Sequence, residues 1–256
     1  MAVSLQADNA SVILGATSGV GQSVARSLER SGNRLLLLGR DLGKLEIIRN
    51  NLDQPYKHHC AVIDDWHNLF DLTVKISEFE DMYNVVTNSG IYTAGVGPLI
   101  PLKALTWENI DHLLQINTIV PLMFVSRLTE YWSHRKTEGA KSIVIIASVS
   151  AHRGQKGFIS YGGTKSALLS GIKSLALEIA PNNIRLNCVS PGWLDTKANR
   201  EAENTVPGLR ERMYEEHPLG LGSSSDGADL VNFLLSEKAK WITGTDVTID
   251  GGFLAG

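Results

Sequence analysis

The chain has 256 residues, 43% of them hydrophobic and 20% charged, which suits one large α/β domain with a buried core. Its net charge of -3 argues against a nucleic-acid partner, because such binding rests on neutralised phosphates, and no apolar run approaches the ~18 residues of a membrane span. Two cysteines, Cys60 and Cys188, are too few for a disulfide framework, and residues 1–10 carry no basic apolar leader, so a cytoplasmic protein without membrane attachment is expected.

Short β-rich runs alternate with helical patterns along the chain. Strands are predicted near 11–15, 34–39, 58–63, 84–88, 141–147, 184–189 and 246–249, with helices near 20–31, 41–52, 67–79, 107–134, 160–180 and 225–236. Leu35-Leu36-Leu37-Leu38 and Ile143-Val144-Ile145-Ile146 are continuously apolar, as in strands covered on both faces. The alternation predicts right-handed βαβ units around a mainly parallel sheet, in a single domain over residues 1–256. The least regular stretch, 193–224, holds Pro207, Gly208, Pro218 and Gly220 and reads as a substrate loop or lid. His134-Arg135-Lys136 reads as a solvated helix end rather than a phosphate-binding patch.

The first predicted strand runs into Gly15-Ala16-Thr17-Ser18-Gly19-Val20-Gly21, directly before a helix. Glycines in that position let the backbone turn tightly and approach a pyrophosphate, while the helix N-terminus offers free N–H groups. The spacing Gly-x-x-x-Gly-x-Gly differs from the common dinucleotide fingerprint, so the strand before and the helix after carry the reading. The second strand ends in Gly39-Arg40. A carboxylate there would bind ribose hydroxyls; an arginine suits a 2′-phosphate, which points to NADP(H) over NAD(H). Asp41 is read as the cap of the next helix. Asp64, after the third strand, is either an adenine contact or another helix cap.

Tyr161-Gly162-Gly163-Thr164-Lys165 opens a helix and sets Tyr161 and Lys165 on one face. A free tyrosine titrates near ~10, and a neighbouring ammonium is expected to lower that value toward the useful range. Ser148 follows the fifth strand, at the sheet edge where α/β folds hold ligands. Pro121, four residues after Asn117, cannot donate to the Asn117 carbonyl, so a kink is predicted there that leaves this carbonyl available to water.

Together these features resemble the short-chain dehydrogenase/reductase family. The likeness rests on the glycine turn, Asn117, Ser148, Tyr161-x-x-x-Lys165, Asn187-Cys188-Val189-Ser190-Pro191-Gly192 and Ile249-Asp250-Gly251-Gly252, and it runs from about residue 10 to 253. The C-terminal half looks most like 3-oxoacyl-thioester reductases. The resemblance implies a Rossmann-like doubly wound domain with a seven-stranded sheet and helices on both faces. It implies a catalytic set of Asn117, Ser148, Tyr161 and Lys165, in which Tyr161 protonates the carbonyl oxygen and Asn117 holds a relay water. Cofactor contacts are expected from Gly15, Thr17, Ser18, Gly19, Val20 and Gly21, from Arg40, Asp64, Asn88 and Gly90, and from Tyr161, Lys165, Pro191, Gly192, Leu194 and Thr196. Asn88 and Gly90 enter because Thr87-Asn88-Ser89-Gly90 stands where the family reads Asn-Asn-Ala-Gly.

The expected activity is NADP(H)-dependent carbonyl–alcohol redox on a small molecule, a ketone or 3-oxoacyl compound, by a homo-oligomer (tetramer or dimer). Leu177 stands where carrier-protein reductases place a docking arginine, so an acyl carrier protein is not expected. Two rivals are a catalytically silent NADPH-binding regulator and an epimerase or dehydratase. The intact Ser148, Tyr161 and Lys165 argue against the first, and the short 193–224 segment against the second. Ser150, His152, Gln155, Phe158, Trp193 and the 197–217 segment are candidate substrate contacts. No metal site is expected, since His58-His59-Cys60 alternate across a strand.

Overall fold

A computed structural model describes residues 9–64, 66, 69–95, 97–135 and 139–256. The reading of the first residues as lacking a leader, and Lys136 of the basic cluster, therefore lie largely or wholly outside the described residues. Seven strands form one sheet: β1 (Asn9–Leu14), β2 (Arg34–Gly39), β3 (His59–Val62), β4 (Val86–Tyr92), β5 (Lys141–Ile146), β6 (Ile184–Pro191) and β7 (Asp246–Ile249). Their order is β3-β2-β1-β4-β5-β6-β7, and every neighbouring pair is parallel. The chain winds outward from β1 to β3 and then from β4 to β7 in the opposite direction. The crevice between β1 and β4 is therefore the switch point at which such sheets hold ligands.

Helices α1 (Gly19–Arg30), α2 (Leu42–Asn50) and α9 (Ser224–Leu235) cover one face, where Val24, Leu28, Leu45, Val231 and Leu234 pack on Leu35, Leu37 and Val144. Helices α3 (Phe70–Tyr83), α5 (Val120–Arg135) and α6 (Ile159–Ile179) cover the other, through Ile76, Phe79, Phe124, Leu128, Leu168 and Ile172 on Val12, Leu36 and Ile143. Burying each such side chain contributes about 1.5–3 kcal/mol. That explains why both runs of four apolar residues are strands with no exposed face.

Three elements differ from expectation. First, β4 lies at 86–92 rather than 84–88, so the polar Thr87-Asn88-Ser89 run is inside the sheet. Its hydroxyls have partners there: Ser89 shares a 2.6 Å hydrogen bond with Ser11, and Thr87 donates from its backbone N (2.8 Å) and Oγ1 (2.6 Å) to the buried carboxylate of Glu80. Arg135 of the basic cluster also donates to Glu80, so it is a buried-network member rather than a purely solvated end.

Second, the helix expected over 107–134 is α4 (Trp107–Leu114), a π-turn over Gln115–Ile119, and α5. The wide turn lies just ahead of Pro121, which has no N–H with which to continue the α-helical ladder. Third, 193–224 is not irregular throughout but contains α7 (Lys197–Thr205) and α8 (Leu209–Glu215), separated around Gly208 with φ 72°. Among the described residues, no helix is long and apolar enough to cross a membrane.

Candidate active site

A cavity of about 780 Å³ opens at the carboxyl ends of β1, β4, β5 and β6. Its floor on the β1 side is the glycine turn. Gly15 has φ 92°, and a Cβ there would run into the backbone of Ala94. A Cβ on Gly21 would sit 2.6 Å from the Gly15 oxygen, so only glycine lets the helix start this close to the strand. Ser18 caps α1 by accepting from Gly21 N at 2.9 Å. Ser18, Gly19 and Val20 face the cavity opposite Pro191, Gly192, Leu194 and Thr196. Thr17 stands behind them, its carbonyl accepting from the Gln22 amide at 3.1 Å.

Arg40 and Asp64 follow β2 and β3 on the exposed edge, outside the cavity. The Arg40 guanidinium lies 5.8 Å from the Trp66 ring centroid. Asp41 caps α2 through Lys44 N at 3.0 Å and pairs with the Lys44 ammonium at 3.3 Å. The backbone N–H of Lys44 and its ammonium hold the Asp41 carboxyl below the ordinary value.

Asn88 and Gly90 do not reach this site. Asn88 donates to the Asn9 side chain at 2.8 Å, near the start of β1, and Gly90 is buried where a Cβ would strike Leu128. The cavity wall at the end of β4 is instead Thr93-Ala94-Gly95. Thr93 N donates to Leu14 O at 2.9 Å and Thr93 Oγ1 to Gly15 O at 2.8 Å, locking β4 to the glycine turn. The misplacement follows from the shifted β4: a second small-residue run, Thr93-Ala94-Gly95, beginning three residues past Gly90, occupies the sheet edge.

Ser148, Tyr161, Lys165 and Asn117 converge. Ser148, just past β5, accepts from Ser150 N at 3.2 Å at the head of a short helical turn (Val149–Ala151). Tyr161 lies in the first turn of α6, and Gly162 brings these two segments together, since a Cβ there would be 2.7 Å from Ser150 O. The space beside Gly162 is thus filled by backbone, whereas Gly163 has open space beside it. Lys165, one turn later and buried, donates to Ile146 O at 3.0 Å, with its Nζ 6.0 Å from the Tyr161 ring centroid. The π-turn carries Asn117, fully buried, whose amide donates to Thr164 Oγ1 at 3.3 Å. Its Oδ1 and Lys165 Nζ both lie 3.3 Å from the point where a Cβ on Gly95 would sit.

Burial decides the electrostatics. Desolvation holds the Tyr161 phenol above its ordinary value, the Ser148 hydroxyl pulling the other way, so the expected depression by Lys165 does not occur in the protein alone. Desolvation also lowers the Lys165 ammonium to about 8. Two hydroxyls and an ammonium that titrates near neutrality thus meet at one wall, the set that proton transfer at an oxygen requires. Thr164, overlooked between Tyr161 and Lys165, ties the wall together: its Oγ1 donates to Tyr161 O at 2.8 Å, and its carbonyl accepts from Thr118 Oγ1 at 2.8 Å.

Of the expected substrate contacts, Ser150, Gln155, Phe158 and Trp193 line the cavity, whereas His152 turns away to donate to Asp246 at 2.6 Å. Leu99, Ile100, Leu209, Met213 and Phe253 complete the wall. Leu209 and Met213 belong to the segment read as a substrate loop, whereas no sequence pattern marks Leu99, Ile100 and Phe253, which distant segments supply. Among the described residues, no group of His, Cys, Asp or Glu could hold a metal ion.

A parallel seven-stranded sheet with this glycine turn and this tyrosine–lysine helix defines a dinucleotide-dependent oxidoreductase class. The family model described as enoyl-(acyl carrier protein) reductase matches residues 15–254, and the chain belongs to the short-chain dehydrogenase/reductase family. Dehydrogenase/reductase SDR family member 4 of Homo sapiens is 29% identical over 266 residues, covering 96% of this chain and 87% of the relative. The 3-oxoacyl-[acyl-carrier-protein] reductase FabG of Aquifex aeolicus is 27% identical over 252 residues, covering 94% and 96%. Among solved structures, a short-chain dehydrogenase/reductase family oxidoreductase from Burkholderia thailandensis is 27% identical with a TM-score of 0.83, covering 97% of this chain and 94% of that one. An actinorhodin polyketide ketoreductase with NADPH shares the fold at 21% identity and a TM-score of 0.87, over 96% and 97% of the two chains.

Proposed function

We propose that the protein is an NADP(H)-dependent carbonyl reductase in which Tyr161 transfers the proton. The observation that supports this most is the meeting of Ser148, Tyr161, Lys165 and Asn117 at one end of a cavity whose other end is the glycine turn. The chain's own residues fit a dinucleotide: Gly19 and Gly95 line the cavity without side chains, Gly15 and Gly21 allow the tight strand-to-helix turn, and the N-terminus of α1 faces the space. Ser18, Gly19, Val20, Ala94, Gly95, Pro191, Gly192, Leu194 and Thr196 would hold it, with Arg40 toward a 2′-phosphate. When bound, the nicotinamide supplies hydride to a carbonyl carbon or accepts it from an alcohol.

Ser148 Oγ donates a hydrogen bond to the substrate oxygen and fixes it beside Tyr161. The Tyr161 hydroxyl then gives that oxygen its proton as negative charge develops there. A phenol held above its ordinary value stays protonated until that moment, which suits the reductive direction. Lys165, with its ammonium near 8, would return the proton to Tyr161 through water, for which the neighbouring Asn117 Oδ1 is an acceptor. The exposed face of α6, with Ala167, Ser170, Ser174 and Leu177 (78% exposed), suits a homo-oligomeric contact.

The test is NADPH and NADH oxidation by the purified protein over ketones, aldehydes and 3-oxoacyl thioesters, beside Tyr161→Phe. Turnover that favours NADPH and is lost in the variant is expected. Tight NADPH binding without turnover of any carbonyl would replace this reading with that of a cofactor-binding regulator.

A further inference from the structure

Building on the reductase reading, we infer that the substrate is uncharged within the cavity: an apolar ketone or secondary alcohol bearing no carboxylate or phosphate at the reacting end. The inference comes from charge. Among the described residues that line the cavity, Lys165 is the only side chain with a full charge, and its ammonium is already committed to Ile146 O. The wall away from the glycine turn carries Leu99, Ile100, Phe158, Leu209, Met213 and Phe253, with the uncharged amides of Asn109, Gln155 and Asn199 among its polar side chains.

The two histidines do not supply a cation inside. His217 uses both ring nitrogens, one toward Met213 O at 2.6 Å and one toward Trp193 N at 3.0 Å. His112 stands on the exposed side of α4, at the rim.

The cations nearest in sequence point elsewhere. Arg200 pairs with Asp195 at 2.6 Å, and Arg210 with Glu203 at 2.8 Å, on the outside of α7 and α8. Arg153 donates to Phe253 O at 3.0 Å and lies over that ring. A carboxylate or phosphate on the substrate, at the end of the cavity away from the glycine turn, would therefore give up water without meeting a cationic side chain, so its desolvation is poorly compensated. An apolar ketone meets the opposite balance: its carbonyl oxygen finds Ser148 and Tyr161, and the rest of it meets hydrocarbon.

The test compares ethyl levulinate with levulinate, a methyl ketone carried by a neutral ester and by its free acid. With NADPH at neutral pH, kcat/KM for the ester is expected to exceed that for the acid at least 100-fold. Values within threefold of each other, or a preference for the acid, would overturn the inference. Val206→Arg, which adds a cation to the half-buried wall beyond α7, is expected to raise acid turnover at least tenfold relative to ester turnover. An unchanged ratio in a folded variant would count against the proposal.

Calorimetric titration of NADP-loaded protein with the two corresponding hydroxy compounds separates the two readings. Selective binding of the neutral alcohol without turnover of either ketone would remove the reductase reading and keep the neutral ligand. Equal binding of both would remove the neutral ligand and leave the reductase reading untouched.

Discussion

The backbone N–H of Trp193 donates to Nε2 of His217 at 3.0 Å, and the opposite ring nitrogen of His217 donates to Met213 O at 2.6 Å. One neutral imidazole thus bridges α8 to the turn that follows β6, with its ring stacked on Phe253 at 4.9 Å. The Trp193 indole closes a second link by donating to Glu203 of α7 at 2.8 Å, and Arg210 holds the same carboxylate. The two helices above the cavity are therefore pinned to the turn carrying Gly192 and Leu194. His217→Ala leaves the Trp193 N–H and Met213 carbonyl without partners and opens a cavity under Phe253. A loss of about 2–4 kcal/mol in urea unfolding is expected, with NADPH affinity weakened about tenfold. Fluorescence titration of NADPH reads the second effect; an unaltered Kd would mean the turn keeps its shape without the imidazole.

Lys165 links the site to stability through pH. Its ammonium titrates near 8 in the folded chain and near ~10.4 when unfolded. Between those values the unfolded chain binds more protons than the folded one, so this group makes stability rise with pH over the window from about 8 to ~10.4. Below about 8 the folded state carries the full cost of a desolvated ammonium. Lys165→Met removes the charge and is expected to unfold at higher temperature than the wild type at pH ~7, with the gap narrowing toward pH ~10. Its reductase activity falls about 10²–10⁴-fold. Thermal scans across that range check the sign, because a gap that widens with pH would contradict a depressed lysine.

Tyr161→Phe and Ser148→Ala separate proton transfer from assembly of the site. Neither hydroxyl carries a core contact, so both variants are expected to fold and bind NADPH with near wild-type affinity. Turnover falls about 10²–10⁴-fold in the first, where the proton donor is gone. In the second the expected fall is about 10²–10³-fold, as for the loss of one donor to a developing oxyanion. Stopped-flow detection of NADPH oxidation at saturating substrate measures both.

Ser148, Tyr161 and Lys165 were legible in the sequence because Ser148 closely follows a strand end, Tyr161 lies in the first turn of α6, and Lys165 follows one turn later on the same face. Thr87-Asn88-Ser89-Gly90 was misleading for a physical reason. Such residues ordinarily mark a turn, and inside the strand they are satisfied by side chains of other elements, Glu80 and Trp132 for Thr87, Asn9 for Asn88 and Ser11 for Ser89. The seven strands and their parallel order followed from the alternation of elements, whereas the end of β4, four residues further on, depended on those long-range bonds. The Leu99 and Phe253 parts of the apolar wall were hidden for the same cause, since no local period relates them to each other or to Met213 in the segment read as a substrate loop.

The Glu80 network offers a stability test away from the cavity. Its carboxylate is buried and accepts from Thr87 N, Thr87 Oγ1, Tyr131 OH at 2.8 Å and Arg135 at 3.2 Å. Glu80→Ala leaves these donors facing one another in the core. A loss of about 3–5 kcal/mol is expected, the range for removing one partner of a buried charged network. At temperatures where the variant remains folded, kcat should stay within about twofold of wild type, since the network lies behind β4 and not at its carboxyl end. Denaturant unfolding beside steady-state kinetics distinguishes this from a catalytic effect.

Cofactor choice is the remaining proposal that one residue can decide. Arg40 follows β2 on the exposed sheet edge and has no ion pair among the described residues, its guanidinium lying beside the Trp66 ring. The adjacent Asp41 is held by Lys44, so the nearest carboxylate does not oppose a phosphate. A charged hydrogen bond of this kind contributes about 1.5–3 kcal/mol, or roughly 10–100-fold in affinity. Arg40→Ala is therefore expected to raise the Kd of NADPH by that factor and leave NADH within twofold. Gly39→Asp tests the converse: its Cβ would meet Leu45 at 3.4 Å, an ordinary contact, so the backbone there accepts a side chain. That variant should lose NADPH affinity and gain NADH affinity, by repulsion of the phosphate and by bonding to the ribose hydroxyls. Parallel fluorescence titrations with the two cofactors measure the ratio, and a ratio unmoved in both variants would rule out this edge as the origin of NADP(H) preference.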